Sequence, residues 1–422
     1  MTTILISGAS VAGPALAYWL HRFGHHVTVV EKAPAPRPGG YAVDFRGASL
    51  TVLDRMGLRA AVEARATRMG AMHYVDESGR TVARTSETAF SGELEVLRGD
   101  LVEILYDATR AGVEYVFGDS ITRLHEDADG VLAKFEHGEA RRFDLVIGAD
   151  GLHSNVRRLA FGPEAPFRHD LGYAVSVATV PNHLELDHTG RLLSVPGKTV
   201  GAYSARDNTE AKAMFYFATD GLTVDRRDTA AQRELVAETF GGLGWEVPRL
   251  VSEMHNAEDF YFDSISQIKL DRYYRGRVSL VGDAGYCASP LAGMGTSLGI
   301  VGAYVLAGEL HAAQLADAEP GAEPDAETSA ETGAEPAHLR AFAAYDAVMR
   351  PFVAACQKQA TDGARWFIPG SKAFLHLRNL TFRLMPYLPW RKLIDELPLK
   401  VGNAVELKQY EAQPQRPAEQ RR

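Results

Sequence analysis

The chain has 422 residues, of which 46% are hydrophobic and 23% charged, and its formal net charge at pH 7 is -9. This length predicts two or three packed units, because a single hydrophobic core rarely grows beyond about 250–300 residues. Seven of the acids lie in one stretch without Lys or Arg, so the rest of the chain is nearly neutral. Without a basic excess to neutralise phosphates, no nucleic-acid partner is expected.

The opening residues predict a βαβ unit. Residues 4–6 form a short apolar run, residues 15–20 repeat apolar groups at helical spacing, and residues 27–30 resume an extended apolar run. Parallel strands that are joined in this way require helices on the faces of their sheet.

Gly8 and Gly13 have the spacing of a dinucleotide-binding fingerprint between the first strand and the helix. The first glycine permits the tight turn, the last lets helix and strand approach, and the helix N-terminus, with Ala12, then faces a pyrophosphate. Ser10 departs from the fingerprint because it occupies the place of the middle glycine. Glu31 ends the second strand, where an acid can accept a hydrogen bond from an adenosine ribose. The alternative is a plain βα turn without a ligand, which would need only Gly8. NAD enzymes share this fingerprint, so it does not identify the cofactor.

From residue 39 to residue 148 the pattern mixes helices and short strands. A Gly-rich turn leads to a helix near residues 50–56 and another beyond residue 58, and two short strands follow around residues 72–84. Arg98 precedes a helical run for which Asp100 is a plausible N-cap. Short strands then continue to residue 148.

Residues 171–268 contain repeated β-branched and aromatic runs with Gly, Asn and Asp turns, and one helix near residues 229–239. This pattern predicts an antiparallel sheet with one face covered, which is a natural substrate compartment. Phe215, Phe217 and Met294 are candidates for the wall of a substrate pocket, although the same residues are typical of an ordinary core.

A polar stretch interrupts the C-terminal part of the chain. Residues 313–337 are acidic, rich in Ala, Pro and Gly and nearly without large apolar groups, so they predict a disordered surface insertion. Its acids are Asp317, Glu319, Glu323, Asp325, Glu327, Glu331 and Glu335. Residues 338–404 predict C-terminal helices that pack against the main body, and residues 405–422 predict a flexible tail.

Two further motifs carry a family resemblance. Residues 144–157, DLVIGADGLHSNVR, resemble the DG motif of the flavin-dependent aromatic hydroxylases, the class A flavoprotein monooxygenases that include p-hydroxybenzoate hydroxylase and the tetracycline-inactivating enzymes. Residues 277–295, RVSLVGDAGYCASPLAGMG, resemble the GD motif of the same group. The three motifs follow the family's order and cover most of the chain. Tyr286 stands where many relatives carry His, and Ser297 where many carry Asn. The resemblance implies that both positions line the flavin, so these departures blur the substrate class.

The resemblance implies a non-covalently bound FAD. Asp283 would accept hydrogen bonds from the ribityl chain, Arg98 would lie at the FAD phosphates, and Arg46 would be a second arginine near the cofactor. Lys32 could reach the adenosine, and Asp150 would help to bind both FAD and the nicotinamide nucleotide. The helix N-terminus that would face the pyrimidine end of the flavin comprises Gly293, Met294, Gly295, Thr296 and Ser297. The alternatives are solvated surface charges for Arg98, Arg46 and Lys32, and local caps for Asp150 and Asp283.

The predicted fold class is α/β, with a Rossmann-like FAD-binding domain, an interleaved antiparallel-sheet substrate domain and C-terminal helices. The FAD-binding domain would take residues 1–72, 97–170 and 270–312, and the substrate domain residues 73–96 and 171–269. The acidic insertion (313–337), the C-terminal helices (338–404) and the tail (405–422) complete the chain.

The expected activity is that of a monooxygenase driven by NADPH or NADH. The family chemistry would pass one atom of molecular oxygen from a C4a-hydroperoxyflavin to an aromatic or polyketide-like small molecule. The flavin carries this chemistry, so no catalytic side chain is assigned. Baeyer–Villiger oxygenation, epoxidation, dehydrogenation and non-catalytic sequestration of a small molecule remain as alternatives. The choice between NADPH and NADH, the substrate and the oligomeric state stay open.

The remaining features concern compartment and metals. Two cysteines imply no disulfide framework, and an uncharged start at Met1 predicts no secretory leader, so a cytoplasmic location is expected. Residues 284–308 are long enough to span a bilayer, but their glycines and Pro290 fit a lipid-facing helix poorly, so no stable membrane insertion is expected. His25 and His26 predict an exposed loop, and no metal site is expected.

Overall fold

The computed structural model describes residues 1–37, 39–85, 92–219, 221, 225–318, 335–387 and 397–410. Its strands are β1 (Thr3–Ser7), β2 (His26–Glu31), β3 (Ala42–Phe45), β4 (Met72–Val75), β5 (Thr81–Arg84), β6 (Leu94–Leu97), β7 (Glu114–Phe117), β8 (Ile121–Asp127), β9 (Gly130–Phe135), β10 (Arg141–Phe143), β11 (Leu145–Gly148), β12 (Arg168–Pro181), β13 (Gly190–Val195), β14 (Lys198–Ala205), β15 (Glu210–Ala218), β16 (Tyr261–Ile268), β17 (Tyr274–Arg275) and β18 (Val278–Leu280).

The α-helices of the described residues follow the same chain order. They are α1 (Ala12–Arg22), α2 (Ala48–Met56), α3 (Arg59–Glu63), α4 (Arg98–Asp107), α5 (Asn155–Ala160), α6 (Thr229–Phe240), α7 (Val247–Asn256), α8 (Asp283–Tyr286), α9 (Gly295–Ala318), α10 (Ala337–Phe367), α11 (Lys372–Leu384) and α12 (Leu397–Gly402). Short 3₁₀ turns occupy Pro290–Ala292 and Met385–Tyr387.

A six-stranded sheet with the order β17-β18-β11-β1-β2-β7 forms the first layer. All neighbouring strands except β17 and β18 run parallel. Its central strands are apolar on both faces, as parallel sheets require: Ile4, Leu5 and Ile6 of β1 are fully buried. Helix α1 joins β1 to β2, which confirms the predicted βαβ unit.

A seven-stranded, mostly antiparallel sheet with the order β16-β12-β15-β14-β13-β4-β5 forms the second layer. Helices α6 and α7 cover one of its faces, and Val236, Phe240, Leu250 and Met254 of these helices pack there. A cluster that includes Met214 and the partly buried Phe367 and Phe382 packs on the opposite face. A two-stranded sheet (β3, β6) and a three-stranded sheet (β10, β9, β8) account for the other strands of the described residues. In the sequence analysis, residues 73–96 were assigned to the substrate domain, but β6, within that range, pairs with β3 and not with the seven-stranded sheet.

Together with the C-terminal helices, the two sheets confirm the predicted α/β fold class. Helix α9 has an 18-residue window that is apolar enough to cross a membrane, but 78% of that window is buried inside the protein. It is the central core helix and packs between α1 and α10.

Two predicted segments are more ordered than their composition suggested. Residues 313–318 were assigned to the disordered insertion, yet they continue α9, because Ala, Gln and Leu are good helix formers and Asp317 pairs with Arg340 of α10. Residues 405–410 were assigned to the tail, yet Tyr410 packs on α9: its hydroxyl donates to Glu309 at 2.7 Å. A Cβ on Gly308 would lie 2.1 Å from the Tyr410 ring, so the glycine leaves the space that the tyrosine fills. Residues 319–334 and 411–422 lie outside the described residues.

Two local predictions were wrong. Helix α4 begins at Arg98 with Leu97 at its N-cap, so Asp100 lies in the first turn rather than at the cap. His25 is only 4% exposed rather than part of an exposed loop, because the chain already turns into β2 at this point, and burial lowers the pKa of His25 to about 4. No cluster of three metal-ligating side chains occurs in the described part of the chain.

Candidate functional site

Four chain segments meet at the carboxyl edge of the parallel sheet. Strand β1 ends at Ser7, β2 at Glu31, β11 at Gly148 and β18 at Leu280. The first motif follows β1, and the second and third motifs run through β11 and β18 and continue beyond their ends. Strand β1 has β2 on one side and β11 on the other, so the chain order reverses here. Open parallel sheets bind their ligands outside the carboxyl ends of the strands at such a reversal.

The turn after β1 can be built only with glycine at two positions. Gly8 has a φ of +108°, and a Cβ there would lie 2.5 Å from the carbonyl oxygen of Ala149. A Cβ on Gly13 would lie 1.9 Å from the carbonyl oxygen of Gly8. These close approaches explain both glycines and bring the start of α1 against the residues that follow β11.

Glu31 holds the loops on both sides of it. The backbone N–H of Ala9 donates to one carboxylate oxygen at 3.0 Å, and the backbone N–H of Ala33 donates to the other at 2.9 Å. The side chain remains 15% exposed, so lone pairs are available for a further donor. Lys32 lies exposed beside it.

Arg98 reaches the first motif from the start of α4. Its Nη1 donates to Ser10 Oγ at 3.4 Å, and its guanidinium lies 6.0 Å from the ring centre of Tyr41. Its Nε is buried and has no hydrogen-bond partner among the described residues. A buried donor without a partner is unusual, and it marks a place where an anionic ligand fits.

Asp150, in the second motif, accepts hydrogen bonds from the residues that follow it in the chain. Its carboxylate accepts hydrogen bonds from Ser154 Oγ at 2.5 Å and from the backbone N–H groups of Asn155 and Val156 at 2.9 and 3.0 Å. It therefore caps the start of α5, which is the local role that the sequence left as an alternative. Burial raises its pKa, although these hydrogen bonds oppose that shift.

Asp283, in the third motif, begins the short helix α8. The preceding Gly282 has a φ of +64°, and a Cβ there would lie 3.2 Å from Cβ of Ala12. Ala12 also lies 3.5 Å from the position of a Cβ on Gly299, so α1 and the third motif are in direct contact. Burial raises the pKa of Asp283. Gly8, Ser10, Arg98, Asp150 and Asp283 thus border one region.

Residues 293–297 form the turn into α9. Gly293 has a φ of +59°, and a Cβ on Gly295 would meet no other atom within 4 Å in the part of the chain that is described. Thr296 is 8% exposed. Ser297 is fully buried, and its hydroxyl lies 2.9 Å from that of Ser49 in α2.

Tyr286 points away from this region, contrary to the prediction that it lines the flavin. It is fully buried, and its hydroxyl lies 2.7 Å from that of Tyr345 in α10. A Cβ on Gly302 would lie 2.0 Å from the Tyr286 hydroxyl oxygen, so the ring occupies the space that this glycine leaves. At this position, where many relatives carry His, Tyr286 therefore fills space in the protein core.

The predicted pocket-wall residues are core residues. Phe215 and Phe217 are buried on the sheet face beneath α6, where both rings pack against Phe240 at 5.2 and 5.9 Å. Met294 is fully buried as well. Phe215 and Phe217 thus lie on the face of β15 that α6 covers, because successive side chains of a strand point to opposite faces, and both faces here are apolar.

The opposite face carries tyrosines that the sequence analysis did not name. Tyr41 and Tyr261 lie 5.9 Å apart between ring centres, and Tyr216 of β15 packs edge-on against Phe367 at 4.7 Å. Burial raises the pKa of Tyr41 to about 12, with Arg98 opposing and Asp283 adding to the shift. These neighbours place Tyr41 next to Arg98 and the third motif.

The site residues fit a flavin dinucleotide on two observations. The unpartnered Nε of Arg98 supplies a donor for a phosphate, and the glycines of the first turn expose the N-terminus of α1 at close range. Two surface cavities of about 330 and 490 Å³ lie elsewhere, and their lining contains none of the predicted site residues.

Comparisons with known proteins identify FAD-binding and flavin-dependent relatives of this chain. A family model for the FAD-binding domain matches residues 1–322. An uncharacterised protein of Mycobacterium tuberculosis is 52% identical over 319 residues, which are 74% of this chain and 86% of the relative. A flavin-dependent monooxygenase from an unknown prokaryotic organism is 40% identical and aligns with 84% of this chain and 87% of its own length. The crystal structure of the tetracycline destructase Tet(55) superposes with a TM-score of 0.80 at 36% identity, covering 97% of this chain and 99% of that one.

Proposed function

Since this chain belongs to the family of FAD-binding, flavin-dependent monooxygenases, we propose that it uses NADPH or NADH and molecular oxygen to hydroxylate an aromatic or polyketide-like small molecule. The observation that carries the proposal is the meeting of Gly8, Ser10, Arg98 and Asp283 at one edge of the parallel sheet. When bound there, FAD would supply electron transfer from the nicotinamide and the activation of oxygen.

The protein's own groups would hold and orient the cofactor. The N-terminus of α1 and Arg98 are suited to the pyrophosphate, and Glu31 keeps acceptor capacity for the adenosine ribose. Asp283 would accept hydrogen bonds from the ribityl hydroxyls. The N-terminus of α9 at Gly295 would stabilise negative charge at the pyrimidine end of the flavin.

The tyrosine side of the seven-stranded sheet supports an aromatic substrate. Tyr41, Tyr216 and Tyr261 offer ring faces and hydroxyl groups next to the motifs, a combination that suits a flat molecule with polar substituents. The similarity to a protein named as a tetracycline destructase supports a polyketide-like molecule in the same compartment. This apolar surround would also exclude water during oxygen transfer.

The test begins with the purified protein. Its visible spectrum should show bound flavin, and NADPH or NADH oxidation should rise at least severalfold when polyphenols or tetracyclines are added. Labelled oxygen gas should then leave one labelled atom in the product. Stimulated oxidation without labelled product would instead indicate a dehydrogenase, and flavin-loaded protein that binds a compound without any oxidation would indicate sequestration.

A further inference from the structure

Two buried carboxylates face each other across the two-stranded sheet. Asp44 of β3 and Glu95 of β6 are directly paired in the antiparallel register. Glu95 is 5% exposed and accepts a hydrogen bond of 2.5 Å from Thr67 Oγ1. The Asp44 side chain is 10% exposed and accepts a hydrogen bond of 2.9 Å from Arg46 Nη2. Neither FAD binding as predicted from the motifs nor the fold requires two acids at this place.

Among the described residues, two ionised acids would outnumber the one positive charge that Arg46 brings to the pair. Burial and the Asp44 carboxylate raise the pKa of Glu95 to about 8, and burial also raises the pKa of Asp44, against the opposing effect of Arg46. Two carboxylate charges on directly paired, buried residues repel each other strongly. One of the two acids therefore retains its proton at neutral pH. One carboxylate, one carboxylic acid and the Arg46 guanidinium then sum to zero charge.

The groups around the pair come from several elements. Burial raises the pKa of the Tyr203 hydroxyl of β14, and the nearby Glu95 and Asp44 carboxylates add to that shift. Thr67 approaches from the loop before β4. Glu93 is an exposed acid on the same segment as Glu95 and accepts a hydrogen bond from the backbone N–H of Gly47.

The pair is attached to the third motif. A Cβ on Gly293 would lie 3.6 Å from Asp44 Oδ2, so this carboxylate borders the turn into α9. The Ser49 hydroxyl bonds the backbone of Arg46 and lies 2.9 Å from the Ser297 hydroxyl. The acids therefore lie next to residues 293–297, the predicted contact of the flavin's pyrimidine end.

We propose that Asp44 and Glu95 form a one-proton carboxylate pair that sets the charge beside the flavin, so that reduction of bound FAD becomes less favourable when alkali removes this proton. The proposal rests on the FAD site described under the proposed function. A nicotinamide donates a hydride, which is two electrons and one proton, and leaves oxidised; the flavin gains one negative charge. That charge is repelled by a second carboxylate charge but not by a neutral acid.

The experiment measures the ratio of reduced to oxidised bound FAD against a redox dye between pH 6.5 and pH 9.5. Glu95→Gln keeps the neutral charge sum but has no proton to lose. Above pH 8 the ratio in the natural protein should fall about tenfold further than in Glu95→Gln, because the added carboxylate charge repels the reduced flavin. Asp44→Asn, which also leaves a single acid, should remove the extra fall as well.

A matched control is Glu93→Gln, which removes an exposed acid close to the pair and should keep the natural pH dependence. Infrared spectra of the FAD-free protein test the pair without the flavin: a carboxylic-acid C=O band should be present at pH 7 and absent in Glu95→Gln. Loss of FAD binding with this band present contradicts the proposed function. A missing band, or the same pH dependence in Glu95→Gln as in the natural protein, overturns the one-proton pair.

Discussion

Nε2 of His153 lies 3.2 Å from Oδ2 of Asp263, so a residue of the second motif directly contacts strand β16 of the seven-stranded sheet. The other ring nitrogen lies 2.9 Å from Glu164. Hydrogen bonds to Asp263 and Glu164 raise the pKa of His153 to about 9, so the ring is charged at neutral pH. An imidazolium between two carboxylates thus connects the seven-stranded sheet to the segment that follows the parallel sheet's β11.

Replacing His153 by Gln is expected to lower the free energy of unfolding by about 1–2 kcal/mol at pH 6–7. The folded-state pKa lies above the ordinary value of 6.5, so the stabilisation is complete below pH 6.5 and is lost as the pH rises through about 9. Urea denaturation of both proteins at pH 6, 7, 8 and 9.5 measures this difference. It should shrink steadily and vanish by pH 9.5.

His125→Gln is the control for this prediction, because His125 is exposed on β8. It should leave the free energy of unfolding unchanged over the whole pH range. An equal destabilisation of His153→Gln at pH 6 and pH 9.5 would show that packing, not charge, holds the two segments together.

Two glycines of the motifs should respond in opposite ways to a single methyl group. In Gly13→Ala the new Cβ meets the Gly8 carbonyl oxygen at 1.9 Å, so the backbone must move, and the free energy of unfolding should fall by about 2–3 kcal/mol. In Gly295→Ala the Cβ enters open space, so the apoprotein should be as stable or up to about 1 kcal/mol more stable. If flavin occupies that space, FAD should bind at least about tenfold more weakly.

Thermal unfolding of the apoproteins and fluorescence titration with FAD separate these effects. Gly370→Ala is the control for Gly295→Ala, since a Cβ there also meets no atom within 4 Å among the described residues, and Gly370 lies outside the motifs. Unchanged FAD affinity in Gly295→Ala would remove the start of α9 from the cofactor site.

Arg98→Met should weaken FAD binding without weakening the apoprotein. Among the described residues the buried Nε of Arg98 has no partner to lose, and Nη1 makes one long hydrogen bond of 3.4 Å to Ser10. The methionine also removes a largely buried charge, so the apoprotein's melting temperature should stay the same or rise. A charge-assisted hydrogen bond to a phosphate contributes about 1.5–3 kcal/mol, so the dissociation constant for FAD should increase roughly 10–100-fold. Equilibrium dialysis provides the measurement, and Arg123→Met, at an exposed position of β8, should leave both quantities unchanged.

The parallel-sheet side of this protein was predictable because its signals are local. Gly8, Gly13 and Glu31 lie within one βαβ unit, and their spacing alone indicates which backbone atoms must approach a ligand. Asp150 was less certain, because a carboxylate beside a helix start has the same sequence pattern whether it caps the helix or binds a ligand. The structure shows the capping hydrogen bonds directly.

The contacts made by distant residues could not be predicted in the same way. His153 meets Asp263 across 110 residues, and Asp44 meets Glu95 across strands whose pairing has no local signature. In β15 the sequence shows apolar residues on both faces, so alternation does not say which face looks toward the motifs. Only the tertiary packing distinguishes Phe215 from Tyr216.

That distinction gives the last prediction. Phe215→Ala removes a fully buried ring from beneath α6 and should lower the free energy of unfolding by about 3–5 kcal/mol while leaving the substrate KM of the folded enzyme unchanged. Tyr216→Phe keeps the ring against Phe367 and removes only the hydroxyl. It should raise the substrate KM about 3–10-fold through a lost hydrogen bond, with little change in stability. Steady-state kinetics and urea denaturation of both variants decide the matter: a KM effect in Phe215→Ala and none in Tyr216→Phe would mean that the substrate binds on the α6 side of the sheet.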